Sequence, residues 1–77
     1  MRNIFSIILY MKEFAERLVE LRAENNISQA KLALALGISN GTIAFWETNK
    51  AEPTAPNIVL VAKFFNVSAD YLLGIEK

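Results

Sequence analysis

From residue 12 onward the apolar positions fall into short helical stretches, each fenced by a residue that starts or stops a helix. Phe14, Leu18 and Leu21 share one face of a helix predicted over 12–25, while Glu13, Glu16, Arg17, Glu20 and Glu24 cover the others. Asn25 and Asn26 end it, because asparagine tolerates the left-handed conformation at a helix C-terminus. Ile27 turns inward and Ser28 caps a second helix with Leu32, Ala33 and Leu36 inside. Gly37 stops that helix, Ile38 bridges, and Ser39 caps a third with Ile43 and Trp46 at helical spacing. The third helix ends at Thr48-Asn49-Lys50, with Asn49 left-handed, and 51–53 is a connector. Thr54 caps a fourth helix with Pro56 in its first turn, where a missing N–H costs little. Its predicted inner side is Ile58, Val59, Val61, Ala62 and Phe65. Asn66 ends it, Val67 packs, and Ser68 caps a short fifth helix that Gly74 stops.

The first ten residues, MRNIFSIILY, break this rhythm. They form an apolar, β-branched and aromatic run, which favours an extended strand or arm able to pair with a second copy. A disordered arm is a further alternative. Another is a helix extension, since Ile4, Ile8, Met11, Ala15 and Leu18 make one stripe. Met11-Lys12-Glu13-Phe14 reads like the start of a small cytosolic protein, so Met11 is an alternative start or residues 1–10 an appended segment. The run is too short to span a bilayer and no small-residue cleavage site follows it. The expected division is therefore 1–11 extension, 12–74 globular domain and 75–77 tail.

Residues 28–47 carry the most information. Two helices joined by a turn of three to four residues around a glycine make a helix-turn-helix motif. Ala33 suits it because steeply crossing helices need a small residue at closest approach, and Gly37 because so tight a turn needs a positive φ.

Composition then narrows the classes. Seventy-seven residues make one small all-α domain, and with no cysteine and no histidine there is neither a disulfide frame nor a zinc cluster. The same absences, with no carboxylate pair in a pocket pattern, leave acid–base, nucleophilic and metal chemistry without their usual groups, so no enzyme and no cofactor is expected. Net charge is zero, with 8 basic and 8 acidic residues. That counts against nucleic-acid binding, which ordinarily goes with an excess of Lys and Arg.

The stretches FAERLVELRAENNISQ, LALALGIS, TIAFWE and NVSADYLLG resemble, in order, the Cro and phage-repressor family of helix-turn-helix DNA-binding domains. The resemblance runs from Phe14 to Gly74, about four-fifths of the chain. It implies a compact five-helix, lambda-repressor-like fold carrying an apolar N-terminal extension. It also implies a cytoplasmic, sequence-specific transcriptional regulator, a repressor by preference. Such a protein would bind double-stranded operator DNA as a homodimer. The expected pairing surface is residues 1–10 with the C-terminal helices.

In such domains the second helix crosses the phosphate backbone and the third, here 39–48, enters the major groove. Gln29 would then reach a phosphate and brace the start of the third helix, with Lys31 as a nearby cation. Asn40, Gly41, Thr42, Ala44 and Phe45 would face base edges. Asn40 suits adenine, and Thr42 or Phe45 a thymine methyl. Backbone amides at Thr48, Asn49 and Lys50, with the lysine cation, would hold a phosphate. Glu47 would pair internally with Arg22 of the first helix.

Plainer readings stand beside these. Gln29 and Thr42 also fit as first-turn capping residues, Asn40 as a solvated polar residue, and Trp46 as core. At Gly41, Ala44 and Phe45 the chain has a glycine, a methyl and a phenyl ring where the family commonly has polar or basic groups. Val19, Leu34, Phe45 and Leu60 are apolar where the pattern predicts solvent. The competing class is a protein-interaction or dimerisation module on the same fold with weak or lost DNA binding.

Overall fold

The computed structural model describes residues 4–75, with side chains from residue 9 onward. Its five helices are α1 (Ile4–Glu24), α2 (Gln29–Leu36), α3 (Asn40–Glu47), α4 (Ala55–Phe65) and α5 (Ala69–Leu73). Four share one device at the start. Ser28, Ser39, Thr54 and Ser68 sit in extended backbone, and each accepts through its hydroxyl from the amide three residues on. That satisfies one of the amides a helix leaves without an internal acceptor. The stops are equally regular. Asn26, Gly37, Asn49, Asn66 and Gly74 all take positive φ, between 52° and 74°. Short helices with sharp ends can therefore succeed one another closely.

The ends set how the helices pack. α1 lies against α3 and α5, α2 against α3 and α4, and α4 against α5. Phe14, Leu18, Leu21, Leu32, Ala33, Ile43, Trp46, Val61, Ala62 and Leu72 form the core. Phe14 and Trp46 meet edge to face with centroids 5.8 Å apart, joining α1 to α3 at its centre. Trp46 is thus core. Leu36, Ile38, Ile58, Phe65 and Val67 are partly buried around it.

Two expectations are corrected. Residues 4–11 are not an extended arm: they are the first turns of α1, which begins at Ile4 instead of residue 12. Among the described residues there is no strand to pair with, whereas prolonging an existing helix adds a hydrogen bond for each residue fixed. The expected stripe holds at Ala15 and Leu18, both buried, and at half-buried Met11, while the side chains of Ile4 and Ile8 lie outside the described residues. Val59 is exposed rather than buried. Ile58, Val61, Ala62 and Phe65, at i, i+3, i+4 and i+7, fill the inward face of α4 and leave Val59 beside it. Val19, Leu34, Phe45 and Leu60 are exposed as expected.

Gly37 and Leu34 separate backbone from burial in the α2 turn. Gly37 has φ 73° with nothing within 4 Å of a modest side chain, so Gly37→Ala loses about 1 kcal/mol from left-handed strain alone. For a domain of this size that lowers the melting temperature by roughly 4–8 °C. Leu34→Ala, at 83% exposure, should shift stability by no more than about 0.5 kcal/mol. Thermal melts of the two variants check this; equal losses contradict it.

Candidate nucleic-acid interface

The turn that presents α3 is built from backbone. Gly37, left-handed, ends α2, and the Ile38 amide donates back to the Ala33 carbonyl at 3.0 Å. Ser39 then caps α3, its Oγ accepting from the Thr42 amide at 3.1 Å and sharing a 2.7 Å bond with Thr42 Oγ1. Ile43 and Trp46 fix the inner face of α3 in the core.

The far end of α3 is tied down by charge. Arg22 Nε donates to Glu47 Oε2 at 2.6 Å and Nη2 to Oε1 at 2.8 Å, a two-pronged pair. Nη1 of the same guanidinium donates to the Ile27 carbonyl at 3.1 Å, and Gln29 Nε2 donates to Glu47 Oε1 at 2.9 Å. The Arg22–Glu47 pair thus collects α1, the loop before α2, the first residue of α2 and the last of α3. The Glu47 side chain is 5% exposed and that of Arg22 18%, so little water screens the pair. The guanidinium pKa is raised, chiefly by the Glu47 hydrogen bond and against the opposing effect of burial. A raised cation pKa contributes stability that is present below its ordinary value and lost only in strong alkali.

Few groups point outward. Asn40, Gly41 and Phe45 are exposed and Ala44 is half-buried. Phe45, at 51%, presents about half its ring to water. The amides of Asn40 and Gly41, like those of Gln29 and Ala30, lie in first turns where a helix offers no internal acceptor. Gly41 is not required by close packing: a Cβ there would meet nothing nearer than Ser39 Oγ at 4.0 Å. Lys31 and Lys50 are exposed cations flanking this face, with exposed Glu52 of opposite sign just beyond.

Several expected roles change. The amides of Thr48, Asn49 and Lys50 do not hold a phosphate, because each is spent winding off the helix: onto the carbonyls of Ala44 (3.1 Å), Trp46 (3.3 Å) and Phe45 (2.8 Å). The Thr48 hydroxyl donates to the Ala44 carbonyl at 2.8 Å, so Thr48 closes the helix and has no donor left. Only the side chains of Asn49 and Lys50 remain there for an anion. Gln29 braces the end of α3 through Glu47, not its start. Thr42 has its amide and one hydroxyl bond on Ser39, so its capping reading holds.

Sequence reasoning misses the clamp on the opposite side of α1. The Arg17 guanidinium stacks 4.4 Å from the Tyr71 ring centroid and bridges Glu13 at 3.3 Å, joining α1 to α5. Only the Glu13–Arg17 spacing of four residues hints at it. The Gln29 bond to Glu47, across eighteen residues, carries no local signal.

A helix-turn-helix family model matches residues 18–72. Curated relatives include the transcriptional activator BcrR of Enterococcus faecalis, 38% identical over 65 residues that make up 84% of this chain and 32% of that protein. Repressor protein C2 of Salmonella phage P22 is 38% identical over 75% of this chain and 27% of its own length. The chain thus spans from about a quarter to just over half the length of the curated relatives it matches. A crystal structure of the P22 c2 repressor in complex with a synthetic operator superposes with a TM-score of 0.76 at 35% identity, covering 82% of this chain and 96% of that one.

The ion pair sets a test of what holds α3. Arg22→Met strands Glu47, whose carboxylate is nearly fully buried, and should cost about 3–5 kcal/mol, against about 1 kcal/mol for Gln29→Ala. Urea unfolding followed by Trp46 fluorescence measures both. A midpoint for Arg22→Met equal to that of the parent chain would contradict the pairing.

Proposed function

Since the chain belongs to the helix-turn-helix family, we propose that it is a sequence-specific DNA-binding transcriptional regulator, a repressor working as a homodimer with α3 in the major groove of operator DNA. The observation that carries this reading is the pairing of a fixed scaffold with an uncommitted reading face. α3 is capped at one end, clamped at the other, and leaves Asn40, Gly41, Ala44 and Phe45 outward. That the superposed P22 repressor is in complex with a synthetic operator supports DNA as the partner.

Roles are assigned from the chemistry each group has left. Asn40 offers amide and carbonyl to the N6 and N7 edge of adenine. Gly41 and Ala44 keep the helix thin, so that it seats deeply, and Phe45 and the Thr42 methyl meet thymine methyl groups. The amides at the starts of α2 and α3 and the remaining N–H of Gln29 Nε2 face phosphates. Lys31 and Lys50 supply charge and Asn49 a further amide. With two cations per subunit, a dimer neutralises about four phosphates and its affinity falls with a salt slope of about four. Such binding is cytoplasmic, needs no cofactor and involves no catalysis; among the described residues no helix is long and apolar enough to cross a membrane.

A second reading is favoured by the net charge of zero and the half-exposed Phe45 ring: a protein-interaction module on the same fold with little DNA affinity. Fluorescence-anisotropy titration of labelled promoter duplex at two salt concentrations separates the two. The regulator binds with the shallow slope given above. Lys50→Ala lowers that slope by about 0.9 for each phosphate the lysine neutralises, and Asn40→Ala costs about 1–3 kcal/mol on the preferred sequence. Absent or salt-insensitive binding supports the second reading.

A further inference from the structure

α3 opens on the pair Asn40-Gly41, which carries a chemistry of its own. An asparagine followed by glycine can cyclise. The next residue's amide nitrogen closes a five-membered ring on the side-chain carbonyl carbon, and glycine has no Cβ to obstruct the approach. In a folded chain three conditions govern the reaction. The amide nitrogen must lack an acceptor, the side chain must be free to turn, and the backbone must be able to leave its helical angles.

Asn40 alone among the described asparagines meets all three. Elsewhere the following amide is committed: Asn26 to the Ala23 carbonyl at 3.2 Å, Ile27 to Arg22 at 3.0 Å, Lys50 to Phe45 at 2.8 Å, Ile58 to Thr54 at 3.0 Å and Val67 to Ala62 at 2.9 Å. Those followers all carry side chains, and Ile27, Ile58 and Val67 are β-branched and stiff. Gly41 lies in the first turn of α3, where the helix supplies no acceptor for its amide. Asn40 is exposed, and among the described residues no hydrogen bond holds its side chain. Asn25, by contrast, has Nδ2 tied to the Leu21 carbonyl at 2.7 Å. Opening the turn is cheap as well. Its Ser39 ties are the Thr42 amide at 3.1 Å and the long Ile43 contact at 3.5 Å, and residues 39–41 lie outside the core. Such a terminal turn opens far more often than the whole domain unfolds.

We infer that Asn40-Gly41 is a self-modification site on the outward face of α3, which converts with time to aspartate and isoaspartate and so retires the chain from DNA. The Gly41 nitrogen attacks Asn40 Cγ. A C–N bond forms, the Cγ–Nδ2 bond breaks, and the amide proton departs with Nδ2 as ammonia. One water then opens the ring. Cleavage at Cγ leaves aspartate; cleavage at the backbone carbonyl carbon leaves isoaspartate, its main chain rerouted through Cβ and Cγ. No enzyme, oxidant or reductant takes part, since amide plus water becomes acid plus ammonia. Either product adds one negative charge to a chain whose net charge is zero. A carboxylate accepts but cannot donate, so the two-way bond to an adenine edge is lost, and its charge repels the phosphates that Lys31 and Lys50 attract. Aspartate leaves the fold intact, because a negative group at the start of a helix suits its dipole. The chemistry stands on the structure alone; the retirement from DNA rests on the regulator reading above.

Storage of the full chain at neutral and mildly alkaline pH, followed by tryptic mapping with tandem mass spectrometry, tests the site. The expected result is a gain of about one dalton at Asn40, with isoaspartate among the products and the other asparagines intact. It should run faster at the higher pH, because the attacking nitrogen must lose its proton. Gly41→Ala, which places a methyl in open space, should keep the circular dichroism spectrum and slow the conversion at least several-fold. Earlier conversion at another asparagine, an unchanged rate in Gly41→Ala, or no conversion in the folded chain while a urea-unfolded sample converts, overturns the site. Anisotropy titration of the converted and unconverted fractions with labelled promoter duplex tests the consequence. The converted fraction should bind at least several-fold more weakly, and Asn40→Asp should reproduce the loss. Equal binding by the two fractions overturns the retirement from DNA. Conversion in a chain neither fraction of which binds DNA upholds the modification site and overturns the DNA reading instead.

Discussion

The Glu47 carboxylate is where the parts of this fold are made to agree on one geometry. It receives two bonds from Arg22 and one from Gln29, while Arg22 also holds the Ile27 carbonyl. Hydrophobic contacts such as Phe14 on Trp46 supply the larger share of stability but tolerate small slides. A two-pronged, nearly dry pair does not. Removing water from both charges is expensive, and the geometry must be good for the attraction to offset it. The pair therefore acts less as added strength than as a constraint on how α3 stands relative to α1 and α2. An eight-residue helix, too short to be stable alone, needs such an external fix.

The same economy explains why the outward chemistry of α3 and its flanks is sparse. At each turn of a chain this short, backbone donors are claimed by the fold first. The winding-off at 48–51 takes four successive amides onto carbonyls of α3. Ser39 takes the Thr42 amide and hydroxyl. A partner is left with a set of first-turn amides, a few side chains and one phenyl ring. On the proposed reading, affinity from such a surface would lean on shape and close approach more than on charge, in keeping with equal numbers of acidic and basic residues.

How much of this is legible in the sequence depends on how local the cause is. Caps at Ser28, Ser39, Thr54 and Ser68 and stops at Asn26, Gly37, Asn49, Asn66 and Gly74 depend on one residue's own conformational preference, so they can be read directly. The inner faces come from spacing, except at Val59, where an apolar side chain adjoins the buried stripe without entering it. The start of α1 misleads because β-branched residues lean toward strand while a short apolar run cannot be assigned by periodicity, and the presence of a helix to extend decides the matter. Of the site, the Arg22–Glu47 pair comes through resemblance, while the spent amides at 48–50 and the Gln29 bond depend on three-dimensional closure that no spacing encodes.

At Gly41 the scaffold and the reading face come apart, because different residues hold them. A Cβ placed there would meet nothing nearer than Ser39 Oγ at 4.0 Å, and its backbone φ is not positive. The position is therefore close to neutral for folding, and replacing the glycine would reduce the conformational freedom that the chain gives up when it folds. A methyl group there would stand clear of the clamp at Glu47 and of the core beneath Trp46. The outward face of α3 can therefore change at this position while the parts that hold the helix stay as they are.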